Sequence, residues 1–351
     1  MNLTNSEKSL LIQTSRLFWY FDTKVKDEFR EFFKSEFNGK LSDNLYNQLF
    51  YHRLNNNLYF IAGDLLLDKV KDKLNEEYSR QSLFNSLILL ELESLIKKIT
   101  LEYPVMLLKG ISFIFNGFLY PEPGIRTMED IDILVPEKFS EQVVKILLEN
   151  NYKIPEQYKN LHKTHFHYLL QKNIGKNIIT LELHFALSSK KRFQIDPESF
   201  FSNAMIPLKD NKNLLYPSVN DLLYYQIFHA GFHYIFERLQ WLGEIEGLIH
   251  KYKDEIDYSY IISRADKEHT SVLLLNTLAA LRHLYNIDLP DFVLKEIDKK
   301  SDDFLSDNSR TWDRELFRNR LFQYKFGLKS MDSILNKILW STEKLKNKFK
   351  E

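Results

Sequence analysis

No cysteine occurs in the 351 residues, so disulfide frameworks, thiolate zinc sites and cysteine nucleophiles are excluded together. Glycine and proline are scarce, 10 and 9, which favours long regular elements over a loop-rich sandwich. Net charge is also absent. The 48 basic residues balance 48 acidic ones, so binding to nucleic acid through overall charge is not indicated, while a local basic groove stays open. No apolar run is long enough for a bilayer, and the richest, Leu83 to Ile96, contains Asn85, Glu91 and Glu93. The opening residues, Met1 to Lys8, lack the basic-then-apolar order of a secretory signal. A soluble protein of the cytoplasm, with no membrane partner, is the expectation.

What the chain does have is material for a core. Apolar residues make up 44% and aromatics 14%, with 27 Phe and 19 Tyr, which excludes whole-chain disorder and suffices for two or three structural units. The fold class this predicts is α+β and mostly helical, with a small mixed sheet between N- and C-terminal helical domains. The boundaries fall at residues 1–100 for the first helical domain, 101–205 for the α/β core and 206–351 for the second helical domain. In the first, Leu83, Leu87, Leu90, Leu95 and Ile99 recur at spacings of one helical face, with Ser82 as a candidate cap. Leu10–Phe21 and Leu45–Leu67 show noisier helical periodicity.

The core has a different texture. Pro104 to Leu108 is a short apolar run ending at Lys109-Gly110, followed by a short helix at Ile111–Leu119 and a Pro/Gly loop at Tyr120–Gly124. Asp130–Val135 alternates as a strand and stops at Pro136. Phe139–Asn150 is an amphipathic helix. Thr164–Leu170 and Ile178–Phe185 are two further strands joined by a hairpin-like connector, 171–177. Beyond 206, helices are expected over Asp221–His250, with a break near Gly231 or Gly243, over Val272–Tyr285 and over Ile334–Phe349. Pro290 marks a boundary.

Alternation along a strand places Asp130 and Asp132 on one face while Ile131 and Ile133 anchor the other. Two such carboxylates repel unless a cation lies between them, and oxygen ligands of this kind suit Mg²⁺. The Lys109-Gly110 step offers a positive charge and an unhindered backbone to an anion, and Arg126 lies on the loop leading into the aspartate strand. Each feature alone more often marks a solvated or structural role. Their order and spacing carry the weight.

Leu107-Leu108-Lys109-Gly110, Tyr120-Pro121, Arg126 and Asp130-Ile131-Asp132-Ile133-Leu134-Val135 together resemble the nucleotidyltransferase superfamily that includes DNA polymerase beta. More closely, they are similar to its branch of uncharacterised bacterial nucleotidyltransferases. The resemblance covers about residues 105–190, with an echo at Arg238-Leu239-Gln240-Trp241-Leu242-Gly243-Glu244. Two positions depart from that pattern. Glu244 stands where an Asp is usual, and Ile111 follows Gly110 where the wider superfamily has Gly or Ser.

The resemblance implies a third carboxylate, for which Glu182 in Thr180-Leu181-Glu182-Leu183-His184 is the candidate. It also implies Mg²⁺ or Mn²⁺ on Asp130, Asp132 and Glu182, and a nucleoside triphosphate held by Lys109, Gly110, Ser112 and Arg126. His167, His184, Arg238 and Glu244 are candidates for the acceptor side. The implied reaction moves a nucleoside monophosphate to a hydroxyl of a small molecule, a protein or an RNA end. The alternative is a non-catalytic nucleotide- or protein-binding module. A zinc site on His162, His165, His167 and His184 fits no zinc signature. His229 and His233 read as residues in packing or in polar contact with the catalytic unit, and Lys190-Lys191-Arg192 and the lysines of 344–350 as solvated faces.

Overall fold

A computed structural model describes residues 3–17, 22–115, 119–159, 166–188, 193, 195–205, 211–233 and 237–300, and beyond these 320–329, 331–333, 337–338 and 341. His162, His165, the basic run 190–192 and the lysine-rich tail 344–350 lie outside the described residues, as does most of the helix expected from 334 to 349.

The N-terminal region contains α1 (Asn5–Ser15), α2 (Thr23–Phe37), α3 (Asp43–Tyr51), α4 (Asn55–Ala62) and α5 (Asp68–Ile99). Thr4 and Glu7 close a reciprocal capping box at the start of α1, satisfying backbone donors that would otherwise be orphaned. The periodic stretch 45–67 is two helices, not one. The chain turns between them at Arg53, whose φ of 60° no helix tolerates.

The 32-residue α5 departs from the leucine stripe read in the sequence. Its buried face comprises Leu74, Asn85, Ile88, Leu92, Leu95, Ile96 and Ile99, whereas Leu83 and Leu90 are each 65% exposed. Ser82 lies within the helix and caps nothing. The stripe was displaced because its central buried residue is polar. Asn85 Nδ2 donates to the carbonyls of Pro123 and Arg126, at 2.6 and 2.8 Å, and Oδ1 accepts from Gln81. One buried amide thus fixes the loop that leads to the aspartate strand, at positions where water would otherwise compete.

Five strands form one mixed sheet: β1 (Val105–Leu107), β2 (Asp130–Leu134), β3 (His167–Ile174), β4 (Asn177–His184) and β5 (Leu214–Leu215), in spatial order β3-β4-β2-β1-β5. Helices α6 (Lys109–Ile114) and α7 (Ser140–Glu149) follow β1 and β2. Strands β2 and β4 are parallel, with Asp132 opposite Glu182, while β3 and β4 form an antiparallel hairpin. That hairpin is tighter than the expected seven-residue connector. Gln171 to Ile174 stay in the ladder, and the turn is made at Gly175, whose φ of 60° is free of Cβ strain. The two-residue β5 has no period of its own to announce it.

After α8 (Pro197–Ser202) come α9 (Val219–Phe228), α10 (Leu239–Lys251), α11 (Tyr258–Lys267), α12 (Ser271–Tyr285), α13 (Asp291–Lys300) and α14 (Arg320–Lys329). The long helical pattern from 221 to 250 breaks at a π-helical turn, His229–His233, and runs through Gly243. The molecule is therefore α+β and mostly helical. One continuous apolar core joins the sheet to the N-terminal and C-terminal helices. No described helix is long and apolar enough to cross a membrane.

Candidate active site

Strand β2 is buried along Ile131–Leu134, and this burial holds its register against β4. The consequence is that Asp130, Asp132 and Glu182 present carboxylate oxygens within 4.8 Å of one another. Parallel pairing, which the alternation of each strand alone does not dictate, brings the third acid to the first two. Hard oxygen donors at this separation fit Mg²⁺ or Mn²⁺. His167, Glu182 and His184 form a second group of the same size, so Glu182 is common to both.

Two cationic groups touch the acids. Lys109 Nζ lies 2.6 Å from Asp132 Oδ1 and 3.6 Å from Glu182 Oε2. Burial pulls the Lys109 ammonium down, but the carboxylates of Asp132, Glu182 and Asp130 outweigh it and hold it well above its ordinary value. His184 Nε2 lies 2.9 Å from Asp132 Oδ1 and 3.3 Å from Glu182 Oε2. Burial and Lys109 oppose its protonation; the hydrogen bonds to both acids prevail and raise its pKa.

Glu182 moves the other way. Burial would raise its pKa, but His184, Lys109 and His167 hold the carboxyl far below the usual range. His167, next to it in the sheet, is lowered to about 4, chiefly by burial and then by the charge of His184. Asp130 is pushed up to about 7, by burial first and then by the negative charge of Asp132.

The Lys109-Gly110 turn has an unexpected neighbour. A Cβ on Gly110 would lie 2.1 Å from Arg126 Nη1, so the missing side chain makes room for a guanidinium. Arg126 is buried, and its Nε donates to Glu244 Oε1 at 2.7 Å. Glu244 is fully buried and also accepts from Tyr120, Gln226 and Gln240. Such a buried ion pair persists only when its remaining hydrogen bonds are supplied, and here three residues supply them. Arg126 thus reaches the cleft with its charge already compensated, and Glu244 lies beneath the cleft instead of on an open acceptor face. Ser112 is buried too, its hydroxyl donating to the Lys109 carbonyl at 2.7 Å.

A cleft opens beside these groups, lined by Asp130, Asp132, Lys109, Gly110 and Arg126 from the sheet region but not by Glu182, His167 or His184. Arg53 and Glu129 add to its wall, as do Gln226, His229, Arg238 and Trp241 from the C-terminal helices. Arg238, a candidate from the sequence, is at the cleft; Arg53 carried no signal there, because nothing local in Tyr51-His52-Arg53-Leu54 marks it. His229, expected to pack or to make polar contact with the catalytic unit, is mostly buried against Tyr225 and Trp241 and reaches the cleft.

No curated protein and no solved structure matches the chain closely enough to establish a relationship. The family described as "Uncharacterised nucleotidyltransferase" matches residues 41–286, a span that takes in the whole sheet, Arg53, and α10 with Glu244. With that match covering most of the sequence, the chain belongs to this family of nucleotidyltransferases, whose general chemistry is nucleotidyl transfer.

Proposed function

We propose that the protein transfers a nucleoside monophosphate from a nucleoside triphosphate to an acceptor hydroxyl, using Mg²⁺ or Mn²⁺ held by Asp130, Asp132 and Glu182. The observation that carries this reading is the facing of Asp132 and Glu182 across parallel strands, with Asp130 beside them, where Asp130 and Asp132 line a cleft that also exposes Lys109-Gly110. A divalent ion bound there would neutralise phosphate charge and polarise the reacting phosphoryl group.

The chain's own groups act around that centre. Asp132 is oriented by two donors, Lys109 and His184, so its free oxygen keeps one direction. Lys109 places positive charge where the α-phosphate oxygens gather. Arg126, committed to Glu244, braces the turn that presents Lys109. The acceptor oxygen attacks the α-phosphorus, the bond to the bridging oxygen breaks, and pyrophosphate leaves. Glu182, ionised and next to His167 and His184, is the carboxylate on the acceptor side that relays the hydroxyl proton to water. Most of the acceleration comes from positioning and charge compensation.

The test uses radiolabelled triphosphates with Mg²⁺, the purified protein and fractionated cell extract. A labelled product with release of pyrophosphate is expected, and Asp132→Asn is expected to reduce it about 100-fold or more without unfolding the protein. Nucleotide binding with no transfer to any fraction would instead favour a binding module. Full turnover by Asp132→Asn would remove Asp132 from the chemistry.

A further inference from the structure

The cleft contains more cationic side chains than its acids engage. Four line it: Arg53, Lys109, Arg126 and Arg238. Lys109 is committed to Asp132 and Arg126 to Glu244, both partners being buried. The other two are held differently. Arg53 Nη2 lies 2.7 Å from Glu129, but that carboxylate is 69% exposed, and an exposed pair is readily exchanged for another anion. Arg238 Nε is buried and meets no hydrogen-bond partner among the described residues; the nearest carboxylate oxygen, from the adjacent Glu237, is 3.6 Å away. Its guanidinium carbon lies 5.7 Å from the centre of the Trp241 ring, a cation–π contact that uses none of its N–H groups.

The backbone gives a second, independent indication. Six described non-glycine residues have positive φ: Asn38, Arg53, Lys109, Asn151, His269 and Asn286. Asn and His adopt this conformation with modest cost, whereas Arg and Lys have no local reason to do so. The two cationic members of the set, Arg53 and Lys109, both line the cleft. Strain of this kind persists where the surrounding fold enforces a direction, and it concentrates at ligand clamps.

We propose that Arg53, from the turn between α3 and α4, and Arg238, the N-cap of α10, form a clamp for the β- and γ-phosphates of the triphosphate and for the pyrophosphate derived from them. This rests on the nucleotidyl-transfer reading and assigns the polyphosphate end of the same site. Planar guanidinium forks match phosphate oxygens two at a time, which Lys109 alone cannot do. Glu129 holds Arg53 in place until a phosphate displaces it. The N-terminal helices thereby contribute a wall of the binding site as well as a covering for the sheet.

Calorimetric titration of the full chain in Mg²⁺ with inorganic tripolyphosphate, and separately with a nucleoside monophosphate, tests the clamp. Arg53→Gln and Arg238→Gln are each expected to weaken tripolyphosphate binding about 10-fold or more, with monophosphate binding changed less than about twofold. Glu129→Gln is expected to tighten tripolyphosphate binding, a direction that a purely structural Arg53–Glu129 pair does not produce. Arg53→Lys keeps the charge and loses the fork, and is expected to fall between wild type and Arg53→Gln even where the glutamine variant folds poorly. Undiminished tripolyphosphate affinity in both arginine variants overturns the clamp and leaves the transferase reading standing. Absence of any phosphate binding by the wild-type chain in Mg²⁺ overturns both.

Discussion

Asp130 and Asp132 leave the same strand in the same direction, yet their surroundings differ. Asp132 is buried and receives Lys109 and His184, whereas Asp130 accepts no hydrogen bond among the described residues. Burial, then the charges of Asp132 and Glu182, push Asp130 up to about 7. Its folded pKa is thus above its unfolded value, and its linkage has a definite sign. The stabilisation from its proton is complete at low pH and is lost as pH rises through about 7. Metal binding must expel the same proton, so Mg²⁺ should bind more tightly as pH rises through that value. Without metal, Asp130→Asn should raise the melting temperature at pH 8 by about 2–4 °C per kcal/mol of repulsion removed, and should abolish stabilisation by Mg²⁺. Melting curves between about pH 5.5 and 8.5, with and without Mg²⁺, measure both effects. A lower melting point for Asp130→Asn at pH 8 would contradict the repulsion argument.

At the scale of elements, the step from β1 into α6 depends on what approaches it from behind. Gly110 has an ordinary negative φ, so its value lies in the missing Cβ and not in backbone freedom. The sequence reading reserved that space for a phosphate; the structure fills it with Arg126. Gly110→Ala should displace the guanidinium from Glu244, cost about 1–3 kcal/mol and lower nucleotide affinity. Combining it with Arg126→Lys should be less damaging than the sum of the two changes, because the narrower side chain relieves the overlap. Denaturant unfolding of the two single variants and the double variant provides the cycle. Strict additivity would mean that Arg126 is not what Gly110 accommodates.

Across the whole molecule, the first and last helical regions are joined directly. Helix α1 lies against α10 so closely that a Cβ on Gly243 would fall 1.7 Å from the Ser15 carbonyl oxygen. Ser15 also hydrogen-bonds Tyr285 at 2.7 Å, and Arg16 pairs with the buried Glu246. Arg238, which lines the cleft, is the N-cap of α10, so a shift of that helix away from α1 would carry Arg238 with it. Gly243→Ala faces backbone, which cannot rotate aside as a side chain does. It should cost about 3 kcal/mol and weaken triphosphate binding although Gly243 does not line the cleft. An unchanged unfolding midpoint would show that α1 and α10 separate without penalty.

The sequence determined what is local. Strand alternation put Asp130 with Asp132 and Glu182 with His184 on common faces, because the two-residue period is a property of the backbone itself. The tertiary structure decided what depends on distant partners: that β2 and β4 run in parallel with Asp132 beside Glu182, that Glu244 turns inward to Arg126, and that Arg53 reaches the cleft. It also decided which face of α5 is buried. Leu83 and Leu90 supplied a plausible stripe, but the helix turns Asn85 inward because the loop over it needs an amide. A helix with apolar residues on more than one side has its orientation chosen by its neighbours, and those neighbours lie far away in the chain.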